Sequence, residues 1–356
     1  MTKAKYLFTP GPVSMYPETL KIGALQTPYF RNSEFSKMIL ECEENLLRLV
    51  NAPHDSRVVF LSASGTGGME ACVHNLLNAK DEALVINGGG FGQRFVNMCK
   101  LYQIKTIDCA VENNDLFDTS MLDTHSGATS LLINAHETSI GLLYDIDSVG
   151  EFAKENNMLY IVDAISMFVT DKLDMIGSNI DALIISSHKG LALPPGLSMV
   201  ILSPKAIEKV NPINQFYFDF NSYLKDGMRG QTPFTPAVTI ILQLQQRLQQ
   251  IVEDGIKLHQ KKAETIAHYF RSAIKGLPLK TFHKYMPNAM TTLTPTDGRS
   301  AYGVVVELEK NYDCIVAPNG GALKDKIFRV SHMGNMTKND IDILIDALYD
   351  YYGVER

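Results

Sequence analysis

No tryptophan, no Cys-x-x-Cys pair and no apolar run approaching the ~18 residues that cross a bilayer occur in this 356-residue chain. A membrane-spanning protein is thereby excluded from the reading. The five cysteines (Cys42, Cys72, Cys99, Cys109 and Cys314) are scattered and odd in number, which argues against a disulfide framework or a zinc site. They read as reduced, mostly core thiols of a cytoplasmic protein, and no metal site is expected. Basic residues are not in excess. The net charge of −6 leaves no basic stripe for a general nucleic-acid binder. Residues 1–8 are too short and too polar a stretch for a signal peptide. Gly88-Gly89-Gly90 lacks both the spaced GxGxxG and the downstream ribose acid of a dinucleotide module. Repeats and low-complexity tracts are absent. The remaining composition, 45% hydrophobic and 20% charged, is that of a globular enzyme, and the length predicts two domains.

Apolar runs of strand length recur through the first two-thirds, at residues 58–61, 82–86, 105–108, 130–133, 159–162, 182–185 and 199–202. Helical stretches such as 69–78 and 146–156 lie between most of them. This alternation predicts an α/β fold, with a mainly parallel seven-stranded sheet between helices and all seven strands buried. A long helix is expected from Pro236 into the 250s and on to Lys275, with a break near Gly255. Gly276-Leu277-Pro278 then punctuates the chain. Residues 280–282, 303–308 and 327–330 and a terminal helix over 338–352 read as a small C-terminal α+β domain.

Ligands of open parallel sheets bind beyond the carboxyl ends of the strands. Ser64, Asn87, 134–138, Asp163 and Lys189 all follow apolar runs and therefore converge on one edge. Lys189 lies in Ser186-Ser187-His188-Lys189-Gly190. Most lysines are solvated surface charges. One held at the end of a buried strand loses its proton more readily, because desolvation disfavours the ammonium, and can attack a carbonyl. Asp163 closes another apolar run, where a helix cap is the plain alternative. Ser64-Gly65-Thr66 precedes a helical stretch, offering amides and hydroxyls to an anion, though a simple Ser/Gly cap has the same look. Phe91 stands in Asn87-Gly88-Gly89-Gly90-Phe91-Gly92-Gln93-Arg94. Lysine, acid, anion loop and aromatic form the set that pyridoxal 5'-phosphate requires.

With these motifs, together with Thr9-Pro10-Gly11-Pro12, His136-Glu137-Thr138-Ser139-Ile140-Gly141, Val162-Asp163-Ala164-Ile165-Ser166 and Ile327-Phe328-Arg329-Val330-Ser331, the chain resembles the class V, fold-type I pyridoxal-phosphate aminotransferases. The similar branch contains the alanine–glyoxylate, serine–pyruvate and 2-aminoethylphosphonate–pyruvate enzymes, and the resemblance runs from Thr9 to Arg329. It implies an N-terminal arm (1–16) lining the substrate site, a large cofactor-binding domain (17–254) and a small domain (255–356).

By the same resemblance Lys189 is the catalytic lysine that carries the cofactor covalently, and Asp163 pairs with the ring nitrogen. Ser64, Gly65 and Thr66 cradle the phosphate, with His188 contributing as donor or cation. Thr138 meets the phenolic oxygen. Phe91 stacks on the ring, where relatives often carry tryptophan or tyrosine. Gly11 and Arg329 contact substrate. Thr232 and Thr235 are equal candidates for reaching the phosphate of a neighbouring subunit, so a homodimer with shared active sites is expected.

The implied reaction is ping-pong transfer of an amino group from a small donor to a 2-oxo acid. The motifs lean toward 2-aminoethylphosphonate with pyruvate/alanine as the partner pair, and alanine/serine–glyoxylate exchange is the alternative. Cysteine desulfurases share the fold but generally set a histidine over the ring and carry a mobile cysteine loop. Phe91 and the absence of such a loop separate this chain from them.

Overall fold

The computed structural model describes residues 6–111, 117–212 and 215–356. The first five residues of the expected N-terminal arm, and most of the stretch weighed as a signal peptide, lie outside that range.

The seven apolar runs form a seven-stranded sheet in the order Arg57–Leu61, Ser198–Leu202, Ala182–Ser186, Leu159–Asp163, Ser130–Asn134, Glu82–Asn87 and Lys105–Ala110. Ser198–Leu202 is antiparallel to both neighbours, and the other pairings are parallel. All strands but that one therefore point the same way, and their carboxyl ends share an edge. One face packs against helices Ser33–Leu49 and Val238–Asp254 through Phe35, Leu46, Ile241 and Leu248. The other packs against Gly65–Leu76 and Gly90–Leu101 through Met69, Val73 and Phe95. Two covered faces explain why these strands read as continuous apolar runs rather than alternating ones. Lys105–Ala110 departs from expectation. It is one of the two edge strands, paired on one side only, and Lys105, Asp108 and Ala110 are exposed.

Helix Val238–Asp254 ends at Gly255, whose φ of +80° suits glycine, and Ile256–Ala273 follows at once. Beyond it a five-stranded sheet runs Tyr6–Phe8, Cys314–Pro318, Phe328–Ser331, Met290–Pro295 and Leu279–Thr281. Helices Ala301–Tyr312 and Lys338–Tyr352 bury Val304, Leu308, Leu344 and Leu348 against it, and the second begins with a capping box between Thr337 and Asp340. The apolar stretch 303–308 belongs to the first of these helices. Tyr6–Phe8 pairs with residues 314–316, so the N-terminal segment starts in the C-terminal sheet before crossing to the large one. Among the described residues no helix is long and apolar enough to cross a membrane, no group of side chains has metal-site geometry, and all five cysteines are buried and free.

Candidate active site

Lys189 lies on the turn after Ala182–Ser186 and is buried. Its ammonium donates to the carbonyl of Pro10. Gly11, with φ +129°, packs against its stem, so that a Cβ there would stand 2.8 Å from Lys189 Cδ and Cε. Burial pushes the Lys189 amine down to about 8; Arg329 and Arg94 act in the same direction, against the pull of Asp163. A useful fraction is therefore free base near neutral pH.

Asp163 ends the adjacent strand, Leu159–Asp163, and is also buried. One carboxylate oxygen accepts from the Ile165 amide at 2.8 Å, and the other accepts from the side-chain amide of Asn134 on the next strand. Burial pushes the carboxyl up to about 6, and these two hydrogen bonds hold it back from going higher.

Ser64 occupies the cap position of helix Gly65–Leu76 without a side-chain cap bond, leaving first-turn amides open to an anion. A Cβ at Gly65 would fall 2.3 Å from Ile165 Cδ1, so a larger residue there would have to displace the Ile165 side chain. Helix Gly90–Leu101 carries Phe91 and Arg94, three positions apart and on one face. The Arg94 guanidinium lies 4.5 Å from the Phe91 ring centroid and donates to Thr66 Oγ1 at 2.7 Å. The start of that helix is fixed by Glu137. Its buried carboxylate accepts from the amides of Phe91 at 3.1 Å and Gly92 at 2.9 Å, and from the Ser139 hydroxyl at 2.6 Å.

Thr138 donates to Ser166 Oγ at 2.8 Å. Arg329 arrives from strand Phe328–Ser331; it donates to the Thr138 carbonyl at 3.0 Å and to the Pro318 carbonyl at 2.6 Å, while its buried Nε has no protein partner. His188 sits 3.0 Å from Ser186 Oγ through Nδ1. Burial, with Lys189 beside it, pushes the ring down to about 4 in the chain without cofactor.

The structure thus brings Ser64, Gly65, Thr66, Phe91, Thr138, Asp163, His188 and Lys189 around one cleft. Gly11 joins it through Lys189 and Arg329 through Thr138. Thr232 and Thr235 are not among its lining residues. Thr232 is buried and its hydroxyl donates to the Phe234 carbonyl at 2.7 Å, whereas Thr235 is exposed. Sequence reasoning gave no role to Arg94, Asn134, Glu137 or Ser166. The helical spacing from Phe91 to Arg94 was the available signal for the first; the others act through contacts between separate strands and loops.

A helix start with open amides, a buried carboxylate held by two donors and a partly neutral lysine are the groups that pyridoxal phosphate needs for its phosphate, ring nitrogen and carbonyl. The residues present fit it. A family profile described as aminotransferase class-V matches residues 25–344. The chain belongs to this family. It is a pyridoxal-phosphate-dependent aminotransferase, acting on an amino donor and a 2-oxo acid. An uncharacterized aminotransferase of Methanocaldococcus jannaschii is 30% identical over 343 residues, 93% of this chain and 88% of that one. The serine–glyoxylate aminotransferase of Hyphomicrobium methylovorum is 26% identical, covering 94% and 86%. Among solved structures, an aspartate aminotransferase of subgroup IV from Thermus thermophilus superposes with a TM-score of 0.91 at 25% identity, covering 97% and 99% of the two chains.

Proposed function

We propose that this aminotransferase moves the amino group of alanine or serine to glyoxylate, with Lys189 as its proton-transfer base. The observation that carries the reading is the placement of Lys189 and Asp163 at the ends of adjacent strands in one cleft, with the amine lowered to about 8. Pyridoxal phosphate supplies the reactive carbonyl and the electron sink. The chain's own residues do the rest. The neutral Nζ of Lys189 would take a proton from the donor's α carbon and deliver it to the cofactor's former carbonyl carbon, which requires a free amine near both positions. Asp163 keeps positive charge on the ring nitrogen. Ser64, Gly65, Thr66 and His188 would hold the phosphate, Thr138 would meet the phenolic oxygen once its hydroxyl turns from Ser166, and Phe91 would cover a ring face.

Arg329 orients the acidic head group of the substrate. Two of its N–H groups are taken by carbonyls, and three of the five that a guanidinium carries remain for an anion. The glyoxylate reading is supported by the serine–glyoxylate relative. The second reading, 2-aminoethylphosphonate with pyruvate, is favoured by the resemblance of Ser64-Gly65-Thr66, His136-Glu137-Thr138 and Val162-Asp163-Ala164-Ile165-Ser166 to that branch, while Arg329 serves a phosphonate and a carboxylate alike.

The same proposal includes a cytoplasmic homodimer, divided within each subunit into arm, large and small domains at residues 16 and 254. The reduced thiols support the compartment and the break at Gly255 supports the second boundary. Exposed Tyr217 stacks at 5.0 Å on Phe234, the residue before Thr235. Thr235 rather than Thr232 has a hydroxyl available there.

A donor–acceptor panel on purified holoenzyme, read by the cofactor's absorbance, tests the assignment. Alanine or serine with glyoxylate should exceed all other pairs in kcat/KM. A tenfold or greater preference for 2-aminoethylphosphonate would install the second reading instead.

A further inference from the structure

We propose that Arg94 is the counter-cation for the phosphate of the bound cofactor, an inference that rests on the cleft being the pyridoxal-phosphate site. A phosphate monoester carries close to two negative charges at neutral pH. The open amides of helix Gly65–Leu76 oppose only part of this, since a helix terminus counts as roughly half a charge. Of the other cleft residues, His188 has its charged form disfavoured by burial and by Lys189 beside it. Lys189 is the group that the cofactor's carbonyl engages and is not available to the phosphate.

Arg94 lines the same cleft. It is bonded to Thr66 Oγ1 at 2.7 Å, inside the phosphate-cradling segment, and its guanidinium carbon lies over the Phe91 ring, 4.5 Å from the centroid. Among the described residues no carboxylate pairs with it, and its side chain is exposed to the opening. A guanidinium uses one N–H on Thr66 and keeps others for a phosphate oxygen, with a fork geometry that lysine lacks. The stacking also links two functions. The residue that covers the ring and the residue that neutralises the phosphate sit on one helix, whose first amides are held by buried Glu137. Anchoring the phosphate therefore also fixes the aromatic over the ring.

The test compares wild type with Arg94→Gln and Arg94→Lys in three measurements. These are the affinity for pyridoxal phosphate by equilibrium titration of the cofactor-free protein, the affinity for pyridoxal without its phosphate, and the ³¹P titration of the bound phosphate. Arg94→Gln should weaken pyridoxal phosphate binding roughly ten- to a hundredfold. It should leave pyridoxal binding unchanged and raise the pH at which the bound phosphate loses its second proton. Arg94→Lys should recover the charge effect on the ³¹P titration and only part of the affinity. If Arg94→Gln matches wild type in cofactor affinity and phosphate ionisation, the assignment is overturned. A rise in KM for acidic substrates as its only effect would overturn it too, giving Arg94 to the substrate instead. Failure of the wild-type protein to take up any cofactor would instead remove the reading of the cleft itself.

Discussion

Gly11 and Lys189 occupy space that no larger pair of residues shares: a Cβ on Gly11 would lie 2.8 Å from two carbons of the lysine stem and 3.0 Å from its nitrogen. Pro10 and Gly11 therefore wall in the Lys189 amine. Gly11→Ala adds both this collision and strain at φ +129°. The variant should keep its far-ultraviolet circular dichroism and lose at least tenfold in kcat, as Lys189 is pushed out of line. Unchanged kcat would mean that the lysine leaves this position during turnover.

Lys189→Ala should bind pyridoxal phosphate noncovalently, lose turnover, and release all cofactor on denaturation after borohydride treatment. In wild type the same treatment should fix the cofactor to the peptide containing Lys189. Peptide mapping that finds the adduct on another lysine would reassign the catalytic residue.

Asp163→Asn separates stability from activity. In the cofactor-free protein the carboxyl is raised from its ordinary 3.8 to about 6. The folded state then holds more protons than the unfolded between those values, and stability falls as pH rises from about 4 to about 6. The neutral amide escapes this penalty, so cofactor-free Asp163→Asn should melt above wild type at pH 7.5. With cofactor bound the order should reverse. Activity should drop by about 3 kcal/mol in the barrier, because an amide stabilises a protonated ring nitrogen poorly. Wild-type turnover in this variant would assign the ring nitrogen to another residue.

Lys189 contributes with the opposite sign. Its amine is lowered from 10.5 to about 8, so between these values the unfolded chain holds the extra proton and the cofactor-free protein gains stability as pH rises. Thermal melts of wild type should improve relative to Lys189→Met across pH 8–10. Parallel melting curves over that window would show that the lysine is not desolvated in solution.

Arg329→Lys removes the planar fork while keeping the charge. A charge-assisted fork is worth roughly 1.5–3 kcal/mol, so KM for both acidic substrates should rise by about tenfold or more while cofactor affinity holds. Equal KM values would place the head group elsewhere.

The large sheet was legible because each strand is a short apolar run buried on both faces, and Asp163 and Lys189 were legible because they end such runs. Lys105–Ala110 misled because its Ile107 and Cys109 resemble a core strand although it lies at the edge. Tyr6–Phe8 is three residues long and pairs with residues 314–316, so nothing local marks it. The Thr-rich strand Met290–Pro295 carries few of the apolar signals that betrayed the others. In the site, the contacts between Glu137 and the Phe91 amides and between Arg329 and Thr138 join segments whose proximity only the folded chain creates.

The five interior thiols also make the chain its own reporter of opening. Burial raises every one of them: Cys314 to about 11, Cys99 to about 12, and Cys42, Cys72 and Cys109 upward as well. An alkylating reagent meets no thiolate until a segment comes apart. Cys72 and Cys99 lie on the two helices that flank the cleft, Cys314 in the C-terminal sheet. Their labelling rates, resolved by mass, should time the loosening of that helical layer and of the C-terminal sheet separately, and cofactor loading should slow the first two more than the third.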